Sequence, residues 1–364
     1  MFNRILVPLD GSTLAERAIP HAEQFARIFG SNIILLQVLD PTSYHVNHNP
    51  VDPLSWQIRK TEADMYMNTI AARVREHLGE CAIVAENAPT ASSQSESMKM
   101  SRVTYSIREG KTAENIVNFA HAENIDLLVI STHGSGGLSR WNISSVTQKV
   151  INLIYLSVLV IRAYNFPAPE GARIHYRRIL LPIDSSRRAE SSLTAGLALA
   201  RGGKSIGSPS EIEQSSPHQA TPETTLPQTK LILAAVIKPP ELPIPKPYPA
   251  EIEQLSKQLI HVSHQAVSNY LNEMKERLAV ECETCVVENN SVTSAIQELA
   301  IRENIDLVVL CAHGYTGQST WPYGSVTRNY MEHGTKPVLV IQDVHRSQVQ
   351  PTAAEIAAEK SGER

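Results

Sequence analysis

Short apolar runs alternate with longer segments of helical spacing along most of the chain, and the whole alternation occurs twice. Residues 4–9 form the first run, of the kind shown by a parallel strand covered on both faces. Residues 13–29 follow with apolar side chains at helical spacing (Leu14, Ala18, Ile19, Ala22, Phe25, Ala26), and Gly30 stands where a helix stop is expected. The pattern then predicts strands at 32–39, 103–108, 126–131 and 157–162, with helices at 54–78, 112–123 and 144–153. Beyond these, strands are predicted at 178–183, 231–237, 284–288, 306–311 and 337–342, and helices at 189–201, 252–278, 293–303 and 325–332. Such alternation implies parallel sheets with helices on both faces. The expected fold class is α/β, as two tandem doubly wound domains.

The two series are copies of one unit. Ile5-Leu6-Val7-Pro8-Leu9-Asp10-Gly11-Ser12 is echoed by Ile179-Leu180-Leu181-Pro182-Ile183-Asp184-Ser185-Ser186. Glu123-Asn124-Ile125-Asp126-Leu127 returns as Glu303-Asn304-Ile305-Asp306-Leu307, and His133-Gly134 as His313-Gly314. Gly137 returns as Gly317, Trp141 as Trp321, Ser145-Val146-Thr147 as Ser325-Val326-Thr327, and Val158-Leu159-Val160-Ile161 as Val338-Leu339-Val340-Ile341. From Glu123 onward the offset is constant at 180, whereas at the first strand it is 174, so insertions differ in between. Expected boundaries are a first domain at 1–163, a linker at 164–176 carrying Pro167, Pro169 and Gly171, a second domain at 177–343 and a polar tail at 344–364. Two inserts, 87–98 and 202–228, lack the apolar content to pack and are expected to be mobile loops.

Composition narrows the function classes. A chain of 364 residues, 42% hydrophobic and 19% charged, reads as globular and long enough for two cores. A net charge of −4 and a pI near 6.4 leave no basic footprint, so no nucleic acid partner is expected. No apolar run approaches the roughly 20 residues of a membrane span, and Met1–Leu6 passes straight into a strand pattern without a signal-peptide core. Cys81, Cys282, Cys285 and Cys311 are too few for a disulfide framework. No membrane partner and a cytoplasmic setting are expected.

In a doubly wound sheet, ligands bind outside the carboxyl ends of the strands, where the strand order reverses. The loop after 306–311 is therefore of interest. It carries His313-Gly314 and runs into Gly324-Ser325-Val326 at the start of a helix. Glycine lets backbone N–H groups approach phosphate oxygens with no Cβ in the way. A helix N-terminus adds orphan N–H donors and partial positive charge, and Ser325 adds a hydroxyl. This is a workable phosphate cradle without a lysine.

The loop resembles the phosphate-binding stretch of ATP-binding universal stress proteins, which runs Gly-x-x-Gly, nine residues, then Gly-Ser or Gly-Thr. Gly314, the nine residues 315–323 and Gly324-Ser325 match, while Cys311 holds the first glycine position. In the first copy Gly134 matches and Ser145 keeps the hydroxyl, but Ser131 and Ser144 replace the flanking glycines. A Cβ at Ser144 is expected to crowd phosphates or to demand an unfavourable backbone angle. The resemblance extends over nearly the whole chain outside the inserts, linker and tail. It implies an adenine nucleotide alpha hydrolase-like fold with strand order 3-2-1-4-5 in each domain. It also implies that Asp184 and Ile183 lie near adenine or ribose, that Val236 packs on the adenine face, and that Ser325 and Val326 lie at the phosphates. The first-copy counterparts are Asp10, Leu9, Val38, Gly134 and Ser145. ATP, ADP or AMP is the implied ligand, with magnesium accompanying the nucleotide. Family members pair through their last strands. By the same resemblance, the two copies are expected to form an intramolecular pseudo-dimer, with further homodimerisation and an unidentified protein partner. On the residues alone, Asp10 and Asp184 also suit capping of the helix or loop that follows each.

Other motifs carry less. Gly110-Lys111-Thr112 lacks the earlier glycine of a Walker A loop, since position 105 is Tyr105. His133 and His313 have no acid or nucleophile at a recognisable spacing, and such histidines usually bind loop backbone. Cys282-x-x-Cys285 opens a strand and would need Cys311 and His313 to complete a zinc site, which the implied strand order keeps apart. Neither a Ser-Gly-Gly-x-Asp-Ser loop nor a His-x-Gly-His pair is present, which disfavours adenylating chemistry. No catalytic or metal residues are assigned. The expectation is a regulator that binds a nucleotide, more in the second domain than the first, and is not an enzyme. The alternatives are a nucleotide-independent interaction scaffold and a slow ATPase.

Overall fold

The structure, a computed structural model, describes residues 1–41, 52–80, 101–137, 143–164, 173–202, 229–241, 244–245, 247–278, 280–315 and 321–344. The insert at 87–98, the second insert from 203, the proline-bearing part of the linker, the tail from 345, Cys81, Trp141 and Gly317 lie outside the described residues. The chain divides into two units, one built on Met1–Ile174 and the other on His175–Gln318 with Gly324–Asp343.

In the first unit the elements are β1 (Arg4–Leu9), α1 (Thr13–Glu16), α2 (Ile19–Phe29), β2 (Asn32–Leu39), α3 (Pro53–His77), β3 (Val103–Glu109), α4 (Thr112–Ala122), β4 (Leu127–Ser131), α5 (Ser145–Leu153) and β5 (Ser157–Ile161). The second unit runs β6 (Arg178–Pro182), α6 (Ser191–Ala200), β7 (Lys230–Ile237), α7 (Ala250–Leu278), β8 (Cys282–Glu288), α8 (Val292–Arg302), β9 (Leu307–Cys311), α9 (Ser325–His333) and β10 (Val338–Ile341). The strand order is β3-β2-β1-β4-β5 in the first and β8-β7-β6-β9-β10 in the second, all parallel. Both follow the expected 3-2-1-4-5 plan. Every residue of β4, β5, β9 and β10 is buried, as strands covered on both faces require. No helix among the described residues is long and apolar enough to cross a membrane.

The helix expected at 13–29 is two helices. Pro20 occupies the first turn of α2, where its missing N–H is harmless, and inside a continuous helix it would clash with the preceding turn. Ser12 caps α1 by accepting from the Ala15 N–H, and Gly30 closes α2 at φ 71°. β8 begins at Cys282, two residues before its expected start, because Cys282 pairs in register with Leu231.

The repeated Glu-Asn-Ile-Asp-Leu segment is a joint between a helix and two strands. Asn124 and Asn304 adopt left-handed φ values of 49° and 47°, which asparagine tolerates better than most residues. The turn drops Ile125 and Ile305 into the core. Asp126 Oδ2 then accepts the N–H groups of Asn3 and Arg4, and Asp306 Oδ2 those of Arg177 and Arg178. Glu123 and Glu303 pair with Arg4 and Arg178 at 2.6 and 2.8 Å. Each joint anchors the start of the central strand, so the opposite, carboxyl end of that strand is held in place for the site.

Candidate functional site

Asp184 stands two residues past the end of β6 and clamps two loops together. Its Oδ1 accepts the Ser186 N–H at 3.1 Å, and its Oδ2 accepts the Tyr315 N–H, from the loop after β9, at 2.6 Å. Asp10 does the same in the first unit, accepting from Ser12 at 3.0 Å and Ser135 at 2.7 Å. The clamp explains the glycines before Tyr315 and Ser135. A Cβ at Gly314 would overlap the Asp184 carboxylate, and one at Gly134 would overlap that of Asp10. Beside Asp184, Ser185 holds φ 62°, where the first unit has Gly11 at 81°. That conformation costs a serine about 1 kcal/mol.

The joined strands, β6 with β9 and β1 with β4, flank the point where strand order reverses. Ile183 is buried there, its N–H given to the Ala234 carbonyl at 2.8 Å. Val236, near the carboxyl end of β7, is partly exposed between buried neighbours, as Val38 is on β2.

α9 opens with Gly324 as its N-cap, in extended geometry at φ −67° and ψ 164°. Thr327 is buried and its hydroxyl donates to the Cys311 carbonyl at 2.8 Å, fastening the first turn to the end of β9. Thr147 makes the same bond to Ser131 at 3.0 Å. Ser325 and Ser145, two positions earlier, are exposed and Val326 is partly exposed. The two helix starts then diverge. In the first unit Ser144 accepts the Thr147 N–H on its own hydroxyl at 3.1 Å. Gly324 has no side chain to offer, and among the described residues no acceptor meets the N–H groups of Ser325, Val326 or Thr327.

The Universal stress protein family model matches residues 1–162 and 214–342. The chain belongs to the universal stress protein family. Two universal stress proteins of Methanocaldococcus jannaschii are similar to one half of it each time. MJ0531 is 25% identical over 162 residues, 44% of this chain and 83% of that protein. MJ0577 is 26% identical over 173 residues, 45% of this chain and 98% of that protein. The crystal structure of a universal stress protein from Archaeoglobus fulgidus matches 94% of this chain and 100% of its own at a TM-score of 0.52 and 14% identity, a likeness of fold.

Within this tandem universal stress protein, three expectations need correction. Ser144 needs no unusual backbone angle, for it sits at φ −62° and ψ 153°, the same extended geometry as Gly324. Its consequence is a self-made cap. The Gly324 N–H is not available to a ligand, since it donates to the Ala312 carbonyl at 2.8 Å, as Ser144 donates to Thr132 at 2.7 Å. What Gly324 contributes is an absent Cβ. Finally, His313 does have an acid beside it: Asp343 Oδ1 lies 2.7 Å from its Nδ1, thirty positions along the chain. The repeat offset could have revealed Asp343, because Ala163 stands at the matching place.

The cysteines are separate. Cys282 and Cys285 lie three residues apart on β8 and so on opposite faces, while Cys311 ends β9, with β6 and β7 lying between the two strands. Burial pushes the Cys311 thiol above the ordinary thiol range, partly offset by the Ser191 hydroxyl at 3.3 Å.

Proposed function

We propose that the second domain binds an adenine nucleotide, ATP or its products ADP and AMP, and that the chain works as a nucleotide-responsive regulator. The observation that carries this reading is the first turn of α9. Three backbone N–H groups lack protein acceptors among the described residues, and the N-cap has no side chain. Such a turn favours an anion through both hydrogen bonding and the helix dipole. Ser325, exposed at the first helical position, adds a hydroxyl on the same side. Asp184 and Gly314 supply the rigid crevice, with Ile183 and the partly exposed Val236 as the apolar surface for a base. Magnesium would come with the nucleotide's phosphates, and the described residues contain no cluster of ligands for it.

A second reading suits the first domain. Ser144 fills the place of the incoming anion acceptor with its own hydroxyl, which supports a nucleotide-independent scaffold role there. Asp10, Val38, Gly134 and Ser145 then serve the fold more than a ligand.

Isothermal titration of the full chain with ATP, ADP and AMP is expected to show one site per chain. ATP at about a hundred times its Kd should stabilise the domain that binds it by about 2.7 kcal/mol. Absence of heat and of any thermal shift with all three nucleotides would refute the reading.

A further inference from the structure

His313 stands at the centre of the loop that makes the site. Its predecessor Ala312 accepts the Gly324 N–H on its carbonyl at 2.8 Å, and its successor Gly314 leads into the Asp184 clamp at Tyr315. The His313 side chain is wholly buried, and it lies against the start of α9. A Cβ built on Gly324 would stand 3.7 Å from the His313 Cα and 3.9 Å from its ring Cδ2. On the opposite edge of the ring, Nδ1 is 2.7 Å from Oδ1 of Asp343, two residues past the end of β10. An ionised carboxylate only accepts, so Nδ1 carries the proton in this contact. The Asp343 side chain is itself buried, and its other oxygen faces the Arg188 Nε at 3.5 Å.

The first domain holds its histidine differently. His133 Nδ1 lies 3.0 Å from the hydroxyl of the adjacent Thr132, and Ala163 stands at the place of Asp343. The second domain has Ala312 at the place of Thr132, so hydroxyl and acid have exchanged. The hydroxyl ties the ring to its own loop. Asp343 ties it to the chain leaving β10, the strand beside β9. A bond to a carboxylate is also the stronger of the two. This stronger brace occurs in the domain whose last helix begins with a glycine. That helix lacks the Ser144 hydroxyl that fastens the first turn of α5.

We infer that Asp343 and His313 are the positioning pair of the nucleotide site. The carboxylate locks the imidazole, and the imidazole packs against the N-cap of α9 and fixes where its first turn stands. This rests on the nucleotide reading above. The pair substitutes support from outside the helix for an internal cap, which steadies the turn and leaves its N–H groups for phosphate oxygens. Without the pair, binding energy must also order the turn.

Calorimetry with ATP and amide NMR of the full chain test this in the wild type, Asp343→Ala, Asp343→Asn and the double variant Ala312→Thr/Asp343→Ala. Asp343→Ala should weaken ATP about tenfold, the scale of one lost charge-assisted hydrogen bond. Asp343→Asn keeps an acceptor oxygen and should lose less than about threefold. The double variant rebuilds the first domain's arrangement and should regain most of the affinity. Without nucleotide, Asp343→Ala should shift the signals of Ser325, Val326 and Thr327, which a pair serving stability alone would leave in place. Unshifted signals, or a folded Asp343→Ala that binds ATP as the wild type does, would overturn the positioning role. A wild-type chain that binds no nucleotide would instead overturn the reading beneath it, and the ligand-free signals would still report on the pair.

Discussion

Replacing Gly324 by serine is expected to lower nucleotide affinity by about ten- to a hundredfold while leaving the protein as stable as before, or more stable by a few tenths of a kcal/mol. The expectation follows from the first domain. There Ser144 occupies the same extended backbone geometry and takes the Thr147 N–H onto its hydroxyl. Nothing at position 324 prevents serine from doing likewise to Thr327, since an added Cβ would meet its nearest neighbour, the Ala312 carbonyl oxygen, at 3.4 Å. That is an ordinary van der Waals distance. The hydroxyl would then stand where a phosphate oxygen is proposed to sit, and one N–H donor would be spent. A charge-assisted hydrogen bond contributes about 1.5–3 kcal/mol, which sets the scale of the loss. Titration calorimetry and thermal unfolding of the same sample check both halves. A Gly324→Ser protein that binds ATP as well as the wild type would show that the cradle is elsewhere.

Gly314→Ala is expected to act oppositely, through the fold. A Cβ there overlaps the Asp184 carboxylate, which holds the Ser186 and Tyr315 N–H groups. Either the carboxylate turns away and two loop amides lose their acceptor, or the loop after β9 shifts. We expect a loss of about 2 kcal/mol in stability, together with loss of nucleotide binding. Asp184 is exposed and water can replace part of its bonding, which keeps the figure from being larger. Gly136→Ala is the control, because an added Cβ there meets nothing. Equal midpoints for the two variants in urea unfolding would refute the clamp.

The fold was legible in the residues because each level of pattern agreed. Apolar runs of strand length, helical spacing between them and a repeat at a constant offset all pointed to two parallel sheets, and the strand order followed from family resemblance. The break in the first helix was legible too, in Pro20, but helical spacing on both sides of it masked the break. The site was legible only as a spacing of glycines. Which amides remain available depends on where loops lie in space. Gly324 looks like a donor in sequence, yet its N–H is spent on Ala312. Ser144 looks like a source of backbone strain in sequence, yet it is unstrained and its hydroxyl accepts the Thr147 N–H. Asp343 and His313 meet across thirty residues because β9 and β10 lie side by side, a relation that no local motif encodes. Asp184 caps the loop that follows it, the reading its residue type alone allowed, and also reaches across to the Tyr315 N–H, which no local spacing foretells.

The central claim is that the first turn of α9, and not that of α5, is open to a phosphate. Backbone amide NMR of the isotope-labelled chain during an ATP titration addresses it most directly. The signals of Ser325, Val326 and Thr327 should move and saturate together, while those of Ser145, Val146 and Thr147 stay in place. If the α9 amides do not respond, or if both sets respond alike, the difference between a glycine and a serine N-cap does not govern binding and the account is contradicted.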